Sequence, residues 1–245
     1  MNATNDRLTS EPIMRTLINA KLIFLTMFDA PEGYLIEKLK PEDEDGFVDT
    51  TMKFYSKGEP LGEIIGLSSE DFQELMKPLI LDWLKHGLTI VAKTEESKEI
   101  VGMLIPQPLL KGDEQLVWGK FKPESQKAKY YAEVCAIIES AVNVVDHFGV
   151  DKAFDHSLLA VSDEHRRNGL GTALAKAANK LGEEEGYKVF AVTASNKYTA
   201  QIYEGLGFSS LYKLDYNKLK IKGKSLDSSV ANGTTHAEVL GMKID

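Results

Sequence analysis

The stretch "SLLAVSDEHRRNGLGTALAKAANKLG", residues 157–182, most constrains what this chain can fold into. An apolar run that reads as a strand, ending at Val161, is followed closely by two arginines, two glycines and a helical pattern. A helix N-terminus leaves its first amides unpaired and carries partial positive charge, so Arg and Gly placed there read as a cradle for an anion. Two familiar anion loops do not fit. The Walker A pattern G-x-x-x-x-G-K-[ST] occurs nowhere in the chain. "GLGTAL" lacks the third glycine of the dinucleotide fingerprint and begins eight residues beyond Val161. A solvated turn whose arginines cap a surface helix remains the plain alternative.

A formal charge of -8 argues against nonspecific binding to nucleic acid or anionic lipid, so any anion has to be met by a local positive site. The 43% hydrophobic content supports a substantial core, and no long Gly/Ser/Pro linker divides the 245 residues. Cys135, the single cysteine, cannot form an intramolecular disulfide, and the apolar spacing of "YYAEVCAIIESAVNVV" puts it on a buried helix face. His86, His147, His156, His165 and His236 are scattered without zinc-type spacing, and no metal site is expected. The hydrophobic run from Ile13 to Phe28 is broken by Arg15 and Lys21 and is shorter than a bilayer span. With no clear signal-peptide cleavage site, the expectation is a soluble cytoplasmic protein.

Along the chain, "YLIEKLK" predicts a strand and "PEDEDGFVDTTMKFYSKGEP" a helix with an acidic first turn. "SSEDFQELMKPLILDWLKHG" predicts a Ser-capped helix kinked or divided at Pro78, and "LTIVAKTEESKEIVGMLIPQP" an antiparallel hairpin. "SQKAKYYAEVCAIIESAVNVVDHFGV" reads as one long amphipathic helix. After the opening motif come a strand "YKVFAVTA", a helix "NKYTAQIYEGLG", a strand "FSSLYKLDY", a polar flexible "KGKSLDSSVANGT" and a late strand in "THAEVLGMKI". The fold class is α/β.

With these residues in view, "RRNGLG" fits the R/Q-x-x-G-x-G/A signature of GNAT N-acyltransferases, and "NKYTAQIYEGLGF" resembles that superfamily's second motif. The resemblance spans roughly residues 33–243. It implies an N-terminal extension over 1–32, a GNAT domain over 33–245, and a mixed, mostly antiparallel sheet with a splayed parallel strand pair flanked by helices. It implies acyl-CoA, acetyl-CoA first, as cosubstrate, with Arg166, Arg167, Asn168, Gly169, Leu170, Gly171 and Thr172 forming the pyrophosphate loop and Asn196 also at the cofactor. Pantetheine would pair with the backbone of Leu159, Ala160 and Val161, in the gap between their strand and the strand of Phe190 to Thr193. A monomer or weak homodimer is expected.

A narrower resemblance is to insect-type arylalkylamine N-acetyltransferases. "FYSKGEPL" matches the segment ending in Glu-Pro-Leu whose glutamate, here Glu59, is the base, acting through water. Ser195 and Thr199 match two hydroxyl residues spaced four apart, with threonine at the second place. Tyr203 matches the tyrosine that protonates the departing thiolate in many GNAT enzymes, and packing against Leu206 and Phe208 is its alternative. A base is needed because an alkyl ammonium of pKa about 10 leaves roughly one molecule in a thousand nucleophilic near pH 7. His156 is the runner-up base. Strand parity sets it on the face of Leu158 and Ala160, pointing away from Glu59, and its plain reading is a partly exposed strand-end histidine. Phe54, Tyr55 and Trp118 are candidates for lining the acceptor pocket. Arylalkylamines, polyamines, longer acyl donors and a noncatalytic acyl-CoA-binding module all stay open.

Overall fold

The computed structural model describes residues 27–112, 118, 122–221, 224–231 and 233–245. Residues 1–26, with most of the early hydrophobic run, lie outside the described residues. Alternating apolar side chains in "YLIEK" and the β-branched "IVAKT" form β2, Tyr34–Lys38, and β3, Ile90–Thr94, which pair antiparallel with Ile36 opposite Ala92. Ahead of them the short β1, Met27–Phe28, pairs with β2, so part of the expected extension joins the sheet. The hairpin continues into β4, Ile100–Leu110, and then β5, Lys152–Val161. Beyond these lie β6, Val189–Ala194, β7, Ser209–Asp215, the paired β8, Lys220–Ile221, and β9, Lys224–Ser225, and β10, His236–Lys243. The eight-stranded sheet runs β1-β2-β3-β4-β5-β6-β10-β7. Among the described residues only β5 and β6 pair parallel, and the late strand β10 slots between β6 and β7.

Helices cover both faces. On one side lie α1, Phe47–Tyr55, α2, Pro60–Ile65, α3, Ser69–Leu84, and α4, Gln126–Ala141, sharing a core that includes Leu61, Phe72, Leu75, Tyr131, Leu158 and Ala160. Ser68 and Asp71 cap α3 reciprocally, satisfying two amides that the helix cannot pair. Of the two outcomes expected at Pro78, a kink or a division, division does not occur: α3 runs through it. An interior proline costs about 3 kcal/mol, and burial of Leu75, Met76, Leu79, Ile80 and Trp83 on both sides of it offsets that cost. The single long helix read from "SQKAKYYAEVCAIIESAVNVVDHFGV" is instead two. Val142 turns extended and Asn143 caps α5, Val144–Phe148, by accepting from the Asp146 amide at 3.2 Å.

The opposite face carries α6, Leu170–Glu184, and α7, Lys197–Gly205, over a second core with Phe154, Leu174, Leu181, Phe190, Tyr203 and Phe208. Among the described residues no helix is long and apolar enough to cross a membrane. The sheet therefore separates two packed layers, and the parallel pair β5–β6 is where both layers meet a break in the ladder.

Candidate active site

That break has a local cause. Ile105 pairs with Leu158 and Gln107 with Asp155, so His156 and Ser157 together face the single residue Pro106. Proline has no amide to give the ladder, and the extra residue forms a β-bulge that bends the strand. The bulge also reverses parity. His156 packs with Phe154 and Phe190 in the second core, while Leu158 and Ala160 face the first. The expected placement of His156 beside Leu158 and Ala160 is thus corrected; it still points away from Glu59, whose neighbour Leu61 belongs to the first core. It is not partly exposed either, at 2%.

The β5–β6 ladder holds only Phe154↔Phe190 and Asp155↔Ala191. The strands separate after Asp155 and Ala191, so the strand of Leu159 to Val161 splays from the strand of Phe190 to Thr193 as expected. Leu159, Ala160 and Val161 pair with Leu104, Met103 and Gly102 of β4 on one side, leaving their other backbone edge toward the gap. An extended ligand chain can add there as a strand.

At the end of β5 the arginine–glycine loop turns into α6. Gly169 at the N-cap has φ 77°, Arg167 has φ 67°, and no side chain caps the helix, which leaves its first amides for a ligand. Leu170 is buried, so it contributes only backbone to the loop, and a Cβ on Gly171 would lie 3.0 Å from Ile202 Cδ1. Gly171 therefore also allows α6 to approach α7 closely. Arg167 and Asn168 are exposed and Thr172 is half-buried. The loop is braced by residues the sequence did not mark: Asn168 Nδ2 donates to the Tyr34 hydroxyl at 3.1 Å, which lies 2.9 Å from His165 Nδ1. Arg166 reaches further. Its Nε donates to the Val161 carbonyl at 3.2 Å, and its Nη2 to the Lys57 carbonyl at 3.1 Å and to Asp163 at 3.0 Å. One side chain thus joins the cradle to the loop that carries Glu59. Exposed cationic side chains, an uncapped helix start and a free strand edge fit a pyrophosphate with an amide-bearing tail.

Glu59 is the N-cap of α2, and Pro60 sits at the first helical position, where a missing amide costs nothing. Its Oε2 accepts from the Gly62 amide at 2.5 Å, while Oε1 is buried without a hydrogen-bond partner among the described residues. At 3% exposure, burial raises the carboxyl to about 7, against the lowering pull of Gly62, Ser195 and the Leu61 backbone. Tyr55, Tyr131 and Tyr216 cluster near it; burial first, and Glu59 second, push their hydroxyls well above the ordinary range, so they are neutral. The Tyr55 and Tyr131 hydroxyls lie 3.2 Å apart, and Trp118 stacks edge-on to Tyr131 with centroids 5.5 Å apart. Phe54 is half-buried against the same core. Cys135 is half-buried there too, its thiol pushed up chiefly by burial.

Ser195 follows β6 and is half-buried, its carbonyl accepting from the Tyr216 hydroxyl at 3.2 Å. Asn196 Oδ1 caps α7 by accepting from the Thr199 amide at 2.8 Å. Ser195 lies near enough to Glu59 to help hold its carboxyl down against the effect of burial, while Thr199 stands in the first turn of α7. Tyr203 lies in the second core with its hydroxyl 2.9 Å from His156 Nδ1. Substituting Gly62 tests the packing under the carboxylate, because an added Cβ would lie 2.2 Å from Phe72 Cζ and 3.1 Å from Glu59 Oε2. Gly62→Ala is expected to lower stability by about 1–3 kcal/mol and to reduce turnover. Parent-like melting with parent-like turnover would contradict that close approach.

The sheet, its splayed parallel pair and the uncapped helix define an acyltransferase fold. The chain belongs to the acetyltransferase (GNAT) family, whose sequence pattern matches residues 58–208. Members use acetyl-CoA. The fold is similar to that of arylalkylamine N-acetyltransferase 2 from Aedes aegypti, at 18% identity and TM-score 0.75, over 87% of this chain and 100% of that one. It is also similar to a mosquito arylalkylamine N-acetyltransferase like 5b, at 18% identity and TM-score 0.73, over 86% and 100%. A third likeness is to the polyamine N-acetyltransferase of Drosophila melanogaster, at 16% identity and TM-score 0.71, over 86% and 100%.

Proposed function

We propose that this protein transfers the acetyl group of acetyl-CoA directly to a primary amine of the arylalkylamine class, in the cytoplasm, with Glu59 as general base. The observation that carries this reading is the Glu59 carboxyl: buried, raised to about 7, with one oxygen unpaired, and set among tyrosines. A base whose pKa lies near the working pH combines a useful ionised fraction with enough basicity to take a proton. Aromatic walls of Tyr55, Tyr131 and Trp118 suit a flat ring, and the carboxylate suits the ammonium.

In this mechanism Arg166, Arg167, Asn168 and the amides from Gly169 to Thr172 hold the pyrophosphate. The gap-side edge of Leu159, Ala160 and Val161, where the Val161 carbonyl also accepts from Arg166 Nε, pairs with pantetheine, and Asn196 borders the cofactor. Acetyl-CoA supplies the activated acyl group. Glu59, directly or through a water, takes the ammonium proton. The Ser195 hydroxyl steadies the carboxylate, with Thr199 one turn further along. Nitrogen bonds to the carbonyl carbon and gives up its second proton to water, the C–S bond breaks with its electron pair going to sulfur, and Tyr203 gives the sulfur a proton. Tyr203→Phe keeps the ring and is expected to lower turnover about tenfold to a hundredfold, because a thiolate of pKa roughly 8.5 leaves tolerably unaided. Parent-like turnover across pH 6 to 9, with acyl transfer limiting the rate, would leave Tyr203 a packing residue.

A second reading, a polyamine acceptor, is favoured by Asp155. This half-buried carboxyl is raised to about 6 by burial and held by Ser157 Oγ at 2.6 Å, supplying another acid beside the gap. The Drosophila relative forms N-acetylagmatine. Comparing kcat/KM for dopamine-, tyramine-, octopamine- and serotonin-like amines with that for polyamines decides between them. The arylalkylamine reading expects the higher values for the ring-bearing amines, and a preference for polyamines would replace it.

A further inference from the structure

The β5–β6 pairing stops at Asp155, and the next residue, His156, opens the bulge. His156 and Tyr203, 2% and 0% exposed, are hydrogen-bonded to one another across the apex of the gap, from β5 to α7. Phe154, Phe190 and Phe208 surround the imidazole, with ring centroids 5.7, 6.3 and 6.1 Å away. Burial in this apolar setting lowers its pKa to about 3, so the ring is neutral and only one nitrogen carries hydrogen. His156 Nε2 is buried and has no hydrogen-bond partner among the described residues. If Tyr203 donated to Nδ1, Nε2 would be an orphaned buried N–H. If Nδ1–H donates to the Tyr203 oxygen, the Nε2 lone pair goes unused and the phenolic hydrogen is the one left over; a ligand in the gap can accept that hydrogen, whereas the imidazole is ringed by three phenylalanines that cannot.

We propose that His156 is a positioning residue: its Nδ1–H donates to the Tyr203 oxygen and so turns the phenolic hydrogen toward the gap, where the departing sulfur receives it. The inference rests on the acetyl-transfer reading above. When the C–S bond breaks, sulfur takes the phenolic proton and Tyr203 becomes a phenolate whose oxygen keeps the Nδ1–H bond. Of the two protons nitrogen gives up between ammonium and amide, the first stays on Glu59 and the second passes to water, and solvent restores Glu59 and Tyr203 after the products leave. Burial pushes the Tyr203 hydroxyl well above its ordinary range, with Asp155 adding to the shift, so an unaided phenolate would be costly. A fixed donor lowers that cost at the moment the proton moves.

The test compares His156→Leu and His156→Asn, each alone and combined with Tyr203→Phe, by single-turnover acyl transfer, KM for acetyl-CoA and thermal melting. His156→Leu should lower the transfer rate about tenfold with KM for acetyl-CoA little changed. His156→Asn, whose amide N–H falls near the place of Nδ1–H, should keep most of the rate. In the Tyr203→Phe background His156→Leu should cost nothing further, because its partner oxygen is already gone. If His156→Leu does not fold, His156→Gln replaces it, since its longer amide reaches the place of Nε2 and should lose what Asn keeps. Multiplicative losses in the double variant, equal loss in the Asn and Leu (or Gln) variants, or no loss in any would overturn the proposal. A parent protein that turns over no amine would instead defeat the acetyl-transfer reading itself.

Discussion

Glu59→Gln is expected to lower turnover with a saturating amine by about two to four orders of magnitude near neutral pH, the usual size of a general-base effect. The carboxamide keeps the shape and can still accept from the Gly62 amide, so the fold and the affinity for acetyl-CoA should survive. In the parent, kcat/KM should rise with pH through an apparent pKa of about 7 as Glu59 loses its proton, and the variant should lack that limb. The deficit should shrink as pH climbs toward the amine's own pKa. Stability carries an independent signature. The folded value of Glu59 lies above the ordinary 4.5, so its favourable contribution is complete below pH 4.5 and is lost as pH rises through about 7. The parent should therefore lose on the order of 1–3 kcal/mol over that window relative to Glu59→Gln. Unchanged turnover in the variant would remove Glu59 from the mechanism.

Arg166→Ala is expected to weaken acetyl-CoA binding by about tenfold to a hundredfold, since charge-assisted hydrogen bonds are worth about 1.5 to 3 kcal/mol. The ion pair with Asp163 contributes little of this, because both side chains are about half exposed, at 46% and 51%. A simple cradle residue would leave the amine untouched. Arg166 also holds the Lys57 carbonyl, two residues before Glu59, so the variant should in addition lower kcat several-fold. Arg167, exposed and in a left-handed conformation, makes no such bridge among the described residues. Arg167→Ala should therefore affect acetyl-CoA binding alone. Calorimetry at moderate salt with steady-state kinetics checks both, and parent-like binding by Arg166→Ala would contradict the cradle.

Much of this was legible because local chemistry and tertiary context agree. Ser68 with Asp71, the loop glycines and the alternating strands near Tyr34 and Ile90 each specify their element without help from distant residues. Where the reading failed, a distant partner decided. Pro78 persists in α3 because apolar residues on both sides of it are buried, which periodicity alone does not weigh. The break at Val142 was marked by Asn143 three residues before Asp146, a capping signature hidden inside an apolar run. His156 changed faces because Pro106 stands on the neighbouring strand; "IPQP" was the available clue, since proline inside a sheet marks a bulge. Glu59 was reachable by resemblance, but its burial depends on α2, Phe72 and Ser195 converging, and no single segment encodes that. Tyr34 and His165 brace the loop across more than a hundred residues of chain, beyond any local signal.

The most direct test of the account is release of free thiol from acetyl-CoA in the presence of an amine panel, with the acetylated product weighed by mass spectrometry. The account predicts that thiol release requires the amine, that an arylalkylamine gains one acetyl group per thiol released, and that Glu59→Gln abolishes nearly all of it. Tight binding of acetyl-CoA by calorimetry with no turnover on any amine would contradict it and leave a protein that holds the donor without using it.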